Sequence, residues 1–344
     1  VYAMTYPSLG RLGRISEPYK VELTQSKIRP LAGHEVLIQI KASALCGSDL
    51  HIARGRHPSV PLPATVGHEF SGDVIAVGPE ASPAWLGKRV VSEPCEACGT
   101  CPACRKGRYD LCAQLRFIYR DGYGALADYI IVKESSLFEL PDSLSYEKAA
   151  LVEPFSVALH AVENAGVGVG DTVVIIGDGA IGLFTAAGCR IAGASRVILA
   201  GHRSSKLKLA LEMGATDVFN THDGSVSEWL RLNVGEADVC FECVGRANCL
   251  NDAVKSVRRG GTVAVAGIYE SPVVELDMSY IVTHQLRVVG TQGYCGNFPQ
   301  ALFALSGLPA EKLITHLFTL DELQHGLDTA LDRSVDTVKI VFRP

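Results

Sequence analysis

At 344 residues the chain exceeds the size, about 250–300 residues, at which a single hydrophobic core stops growing, so two domains are expected. Hydrophobic residues make up 47% and charged residues 20% of a chain with 34 glycines, a composition that excludes a disordered or fibrous protein. The net charge of -5 leaves no basic surplus to neutralise a phosphate backbone, which argues against nucleic acid as a partner.

In chain order, the opening residues Val1–Lys20 mix Tyr, Pro, Gly and Arg and lack the sections of a secretory signal. Apolar runs such as Val173–Ile176 stay far short of the roughly 20 residues a membrane helix needs, so a cytoplasmic protein with no membrane partner is expected. To about Val152 the sequence reads as short strands broken by Gly and Pro: Glu35–Ala42, Glu69–Val77, Arg89–Ser92 and Asp128–Val132. That spacing predicts an antiparallel, barrel-like domain. From Asp171 strands alternate with helical stretches, the sign of βαβ units and a parallel sheet. Strands are predicted at Thr172–Gly177, Arg196–Ala200, Asp217–Asn220, Asp238–Glu242, Thr262–Gly267 and Leu286–Gly290. Helices are predicted between them at Ala180–Ala192, Ser205–Met213, Ser225–Leu232 and Cys249–Val257, with Gly193 and Gly214 as stop signals. Six strands suit a complete dinucleotide fold. A last helix, Asp321–Leu331, and a closing strand, Val338–Phe342, follow.

Eleven cysteines are an odd count for a disulfide framework, and four of them crowd into one short segment. Cys98, Cys101, Cys104 and Cys112 follow C-x2-C-x2-C-x7-C. Four thiolates at such range close a tetrahedral shell around zinc and leave no open position, which makes the site structural. Cys95 lies just upstream and is left outside the set. A second, dispersed constellation holds Cys46 to His51, then Gly67, His68 and Glu69, then Glu153. Cys46, His68 and an acid supply the sulfur, nitrogen and oxygen donors of a catalytic zinc with an open position.

Gly177, Gly179 and Gly182 form G-D-G-A-I-G between the first apolar strand of the second half and a helix. The first glycine permits a tight turn, the second lets the backbone approach a pyrophosphate, and the third lets helix pack on strand. The backbone at Gly179, Ala180 and Ile181 opens the helix that faces the phosphates. An acid about 20 residues on would bind the ribose 2'-hydroxyl of NAD. The second strand instead ends in Gly201, His202, Arg203, Ser204, Ser205 and Lys206, with no carboxylate. His202, Arg203 and Lys206 suit a 2'-phosphate, so NADP is favoured and NAD stays possible.

These residues together resemble the medium-chain zinc-dependent dehydrogenases over essentially the whole chain. The resemblance rests on C-G-S-D-L-H, G-H-E-F-S-G, the cysteine segment, L-V-E-P-F-S-V-A-L-H-A and V-V-I-I-G-D-G-A-I-G in family order. It implies an α/β protein: a GroES-like β-barrel catalytic domain over 1–152 and 292–344, with a zinc lobe at about 93–113, and a Rossmann domain over 153–291. An active site in the cleft between the two is part of the same expectation.

Glu153 stands where many alcohol-oxidising members carry a second cysteine ligand, which is similar to the polyol branch with sorbitol and 2,3-butanediol dehydrogenases. That branch implies Cys46, His68 and Glu69 as direct ligands, with Glu153 binding directly or through the metal's water. Ser48 and His51 are implied as a proton relay, and Asp49 as the carboxylate that orients His68. Gly293 stands where the sorbitol enzymes carry an arginine, so a smaller diol, another secondary alcohol or a modified sugar is as open as sorbitol. The resemblance further implies a homodimer or homotetramer, pairing at the strand Leu286–Gly290. A non-catalytic relative would have lost Cys46, Ser48, His51, His68 and Glu69, and a zinc-free reductase would lack both clusters. All these residues are present, which favours an NAD(P)-linked alcohol or polyol dehydrogenase with one catalytic and one structural zinc.

Overall fold

A computed structural model describes residues 6–118 and 123–344, so residues 1–5 of the opening segment lie outside the described residues. The chain forms two compact units, Val1–Glu153 with Phe298–Pro344 and Pro154–Asn297.

The first unit is built on alternating apolar strands. In Glu35–Ala44, Val36, Ile38 and Ile40 project to one core face, where Phe70, Val74, Val90 and Ile130 meet them. This strand pairs antiparallel with Glu69–Val77 on one side. It also pairs with Tyr129–Lys133 and, through Ser43 and Ala44, with the closing strand Lys339–Arg343. Arg89–Ser92 and Leu137–Glu139 extend the sheet beyond Glu69–Val77, and Ile314–Thr319 lies parallel to the closing strand. A hairpin of Leu9–Glu17 and Lys20–Lys27, absent from the sequence prediction, packs over a second core. Its strands carry Gly, Arg, Glu and Lys at many positions, which hid their alternation.

The second unit is a six-stranded, wholly parallel sheet. Its order runs Asp217–Asn220, Arg196–Gly201, Thr172–Ile176, Ala237–Glu242, Val257–Val265, Arg287–Gly290. The order reverses direction at the central strand Thr172–Ile176, the place where such sheets bind ligands beyond their carboxyl ends. Val173, Val174 and Ile175 are fully buried, as a strand covered on both faces requires. Two differences from the predicted elements have local causes. Val257–Val265 starts five residues before the expected Thr262, because the pairing slips between Ala237 and Val239 and accommodates an irregular start at Val257. The helix Val152–Ala165 was not foreseen, although Glu153, Ser156, His160, Glu163 and Asn164 recur at helical spacing along it; Pro154 in its first turn masks the pattern. Among the described residues no helix is long and apolar enough to cross a membrane.

Candidate active site

The strand register brings the dispersed residues of the first unit together. Glu69 pairs with Ala44, so His68 and Glu69 lie beside the chain as it leaves its strand toward Cys46. Cys46 caps the short helix Gly47–Ala53 in an extended conformation. The Asp49 carboxylate accepts the backbone N–H of Cys46 at 3.0 Å and of Gly67 at 3.1 Å, tying both ligand-bearing segments to one buried group. Asp49 Oδ1 stands 3.9 Å from His68 Nδ1, beyond hydrogen-bond range, so its grip on the histidine runs through the backbone rather than through the ring.

The donor atoms of Cys46, His68 and Glu69 lie within 4.8 Å of one another. Sulfur, imidazole nitrogen and carboxylate oxygen in a largely buried cluster are a donor set that fits zinc and falls one short of a closed tetrahedral shell. Burial pushes the Cys46 thiol up to about 12, with the Glu69 charge adding to the shift, so a cation is what makes this sulfur a thiolate. Glu153 is buried nearby but outside this tight set. Burial raises its carboxyl to about 8; the neighbouring His68 opposes the shift, and the charges of Glu69 and Cys46 reinforce it. Ser48 and His51 sit one turn apart on the helix Gly47–Ala53. Ser48 Oγ is solvent-excluded and makes no well-formed hydrogen bond, while its closeness to Cys46 works to lower that thiol.

One member of this cluster escapes sequence reasoning. Lys339, on the closing strand, is buried and places Nζ 2.5 and 2.6 Å from the two oxygens of Glu69. The available signal is its setting in V-K-I-V-F, a charge inside an apolar strand.

The four cysteines Cys98, Cys101, Cys104 and Cys112 also converge within 4.8 Å. Cys98 Sγ accepts the Cys101 N–H at 3.4 Å, Cys101 Sγ the Cys104 N–H at 3.5 Å, and Cys112 Sγ the N–H groups of Cys98 and Gln114 at 3.4 and 3.3 Å. Backbone N–H groups, that of Thr100 foremost, hold the Cys98 thiol down at about 6. Burial and the neighbouring Cys101 thiol push the Cys104 thiol up to about 12, so a cation is needed to make all four sulfurs thiolates, and this set of four sulfurs fits a closed zinc site. Cys95 belongs to the short strand Cys95–Glu96 and not to this group.

In the second unit, Gly177 has φ +127° and turns the chain out of the central strand. Gly179 caps the helix Ala180–Ile191, and a Cβ there would meet nothing within 4 Å, which leaves the open cradle a pyrophosphate needs. At Gly182 a Cβ would stand 1.9 Å from Gly177 O, so only glycine lets the helix pack this close. Ala180 and Ile181 open the helix, where backbone N–H groups lack intrahelical partners. Arg203 caps the next helix, Ser204–Glu212, and Lys206 lies in its first turn. His202 and Arg203 both give their backbone N–H to Asp178 Oδ2 at 2.9 Å.

Comparison with known proteins agrees with this geometry. Residues 32–142 match the alcohol dehydrogenase GroES-like domain family and residues 180–306 the zinc-binding dehydrogenase family. Sorbitol dehydrogenase of Bacillus subtilis is 35% identical over 318 residues, spanning 90% of each chain. L-idonate 5-dehydrogenase of Vitis vinifera is 32% identical across 92% of this chain and 91% of its own. Among solved structures, a zinc-binding dehydrogenase of Sinorhizobium meliloti bound to NADP superposes with TM-score 0.91 at 31% identity, covering 98% of this chain and all of that one. The 2R,3R-butanediol dehydrogenase of Bacillus subtilis gives TM-score 0.86 at 32% identity, over 97% and 99% of the two chains. The chain belongs to the medium-chain zinc-dependent alcohol dehydrogenase family, in its polyol branch, and is an oxidoreductase with a GroES-like and a Rossmann domain that uses zinc and a nicotinamide dinucleotide.

Proposed function

We propose that the protein oxidises a small diol or other secondary alcohol to the ketone, and catalyses the reverse, with NADP favoured over NAD. The observation that carries the reading is the buried convergence of Cys46, His68 and Glu69. We assign these three as direct zinc ligands and keep Glu153 beside them. When bound, zinc would supply a Lewis acid for the alcohol oxygen and the nicotinamide dinucleotide a hydride acceptor. Ser48 Oγ, buried beside Cys46, accepts the hydroxyl proton, and His51, one turn along the same helix, passes it toward water. The four-cysteine cluster holds a second, structural zinc.

The cofactor preference follows from charge. An acid at the end of the second strand would repel a 2'-phosphate, and the residues there are Gly201, His202 and Arg203. Asp178, the nearby carboxylate, accepts the backbone N–H groups of His202 and Arg203, and the Arg203 guanidinium supplies the charge that pairs with the phosphate. Substrate size follows from Gly293, which has φ +64° where the sorbitol enzymes place arginine. A backbone in this region disfavours a side-chain-bearing residue, so the polyol grip is absent and smaller alcohols are preferred. The edge strand Arg287–Gly290 leaves Val288 exposed, with Met278 and Val282 on the preceding helix, which supports a homodimer or homotetramer through this edge.

Initial rates of dinucleotide reduction across diols, simple secondary alcohols and sorbitol, with NADP and with NAD, test this reading. Turnover with NADP and a small diol, lost on chelation and restored by zinc, is expected. Absence of zinc-dependent turnover across the panel would overturn it.

A further inference from the structure

Lys339 is a charged residue in the middle of a buried cluster, and its three ammonium protons have an account. Two meet Glu69 Oε1 and Oε2 at 2.5 and 2.6 Å, and the third meets Leu45 O at 3.3 Å. Leu45 immediately precedes Cys46, so one ammonium joins the segment carrying the sulfur donor to the carboxylate donor. The charges of Cys46 and Glu153 also act on it.

We propose that Lys339 is a positioning residue that grips both oxygens of Glu69 and thereby keeps the metal at Cys46, His68 and Glu69 loosely held. The argument concerns sign. A carboxylate placed behind a histidine ligand strengthens that ligand's donation; an ammonium placed behind a carboxylate ligand draws charge away from it. The same ammonium, a few ångströms from the donors, repels a dication directly. Among the described residues, the sulfurs of the four-cysteine cluster accept hydrogen bonds from backbone N–H groups and the Thr100 hydroxyl, and Cys98 Sγ lies 4.0 Å from Cys104 Sγ, with no ammonium among these contacts. One site is therefore built to retain its metal and the other to hold it weakly enough for its ligand set to rearrange.

This inference rests on Cys46, His68 and Glu69 being metal ligands. Metal-free protein is titrated with Co2+ against a competing chelator, and the visible absorption missing from His68→Ala identifies the signal of this site. If His68→Ala removes no signal, the ligand assignment fails and not the role of Lys339. Lys339→Met and Lys339→Gln, each folded by circular dichroism, are expected to bind Co2+ about tenfold more tightly than the wild type and to release it more slowly, with a shifted absorption band. Lys339→Arg, which keeps the charge, is expected to restore wild-type affinity. Unchanged or weaker binding by a folded neutral variant overturns the proposal. So does failure of both neutral variants to fold, since Lys339 is then a counter-charge needed by the fold.

Discussion

Asp178 Oδ2 accepts the backbone N–H of Arg203 at 2.9 Å, so a carboxylate of the glycine-rich loop fixes the point from which the Arg203 side chain departs. The Arg203 backbone is thus fixed at the start of the helix Ser204–Glu212, and its guanidinium is the group proposed to pair with the 2'-phosphate. Arg203→Ala is expected to raise KM for NADP by about ten- to a hundredfold, the range of a hydrogen bond to a charged group, and to change KM for NAD by less than about twofold. Steady-state rates with both cofactors check this. An equal loss with both would place Arg203 in the fold of the loop rather than in phosphate recognition.

Gly182→Ala tests the close packing under the loop. The added Cβ would meet Gly177 O, a backbone atom that cannot swing aside. Overpacking of this kind costs about 1–3 kcal/mol, and the displaced helix start should lose its phosphate contacts. Thermal melting and fluorescence titration with the dinucleotide are expected to show a lower Tm and much weaker binding. Retained affinity would contradict the geometry.

Ser48→Ala removes the proton acceptor without touching a proposed ligand. A fall in kcat of about 10²- to 10⁴-fold with unchanged zinc content is expected, because general acid–base catalysis is worth that much. Zinc analysis beside the rate measurement separates this from a structural effect. Wild-type kcat would remove Ser48 from the relay.

Glu93 provides a test of pH linkage within the cysteine-bearing lobe, at a carboxyl that is not a proposed metal ligand. Burial raises its carboxyl above the usual range, although the Tyr109 hydroxyl donates to it at 2.8 Å and opposes the shift. The folded state therefore prefers the protonated acid. Its contribution to stability is fully present below the unfolded value, about 4.3, and is lost as pH rises through the raised folded value. Glu93→Gln keeps the acceptor for Tyr109 without the charge, so its Tm relative to the wild type is expected to rise between pH 5 and pH 8. A fall over that interval would reverse the assignment.

What the sequence discloses depends on how local the cause is. Glu69–Val77 and Asp217–Asn220 have the bounds their apolar patterns predict, and Ser225 caps the helix that follows it. The cysteine segment and the glycine-rich loop are legible because spacing alone brings their atoms together. Cys46, His68 and Glu69 needed a family resemblance, because the register of Glu69 opposite Ala44 is what joins them. Lys339 stayed hidden for the same reason: it meets Glu69 across 270 residues of chain, and nothing local to V-K-I-V-F names its partner. Asp49, expected to orient His68, stands 3.9 Å from the ring and turns its carboxylate to the N–H groups of Cys46 and Gly67, whose need for an acceptor no side-chain pattern records.

The measurement closest to the central claim is zinc content per chain beside alcohol-dependent NADP reduction, in the wild type and in His68→Ala. The account predicts zinc in both clusters of the wild type, and in His68→Ala zinc retained by the four cysteines alone, with turnover abolished. His68→Ala that keeps full zinc content and wild-type turnover would contradict it.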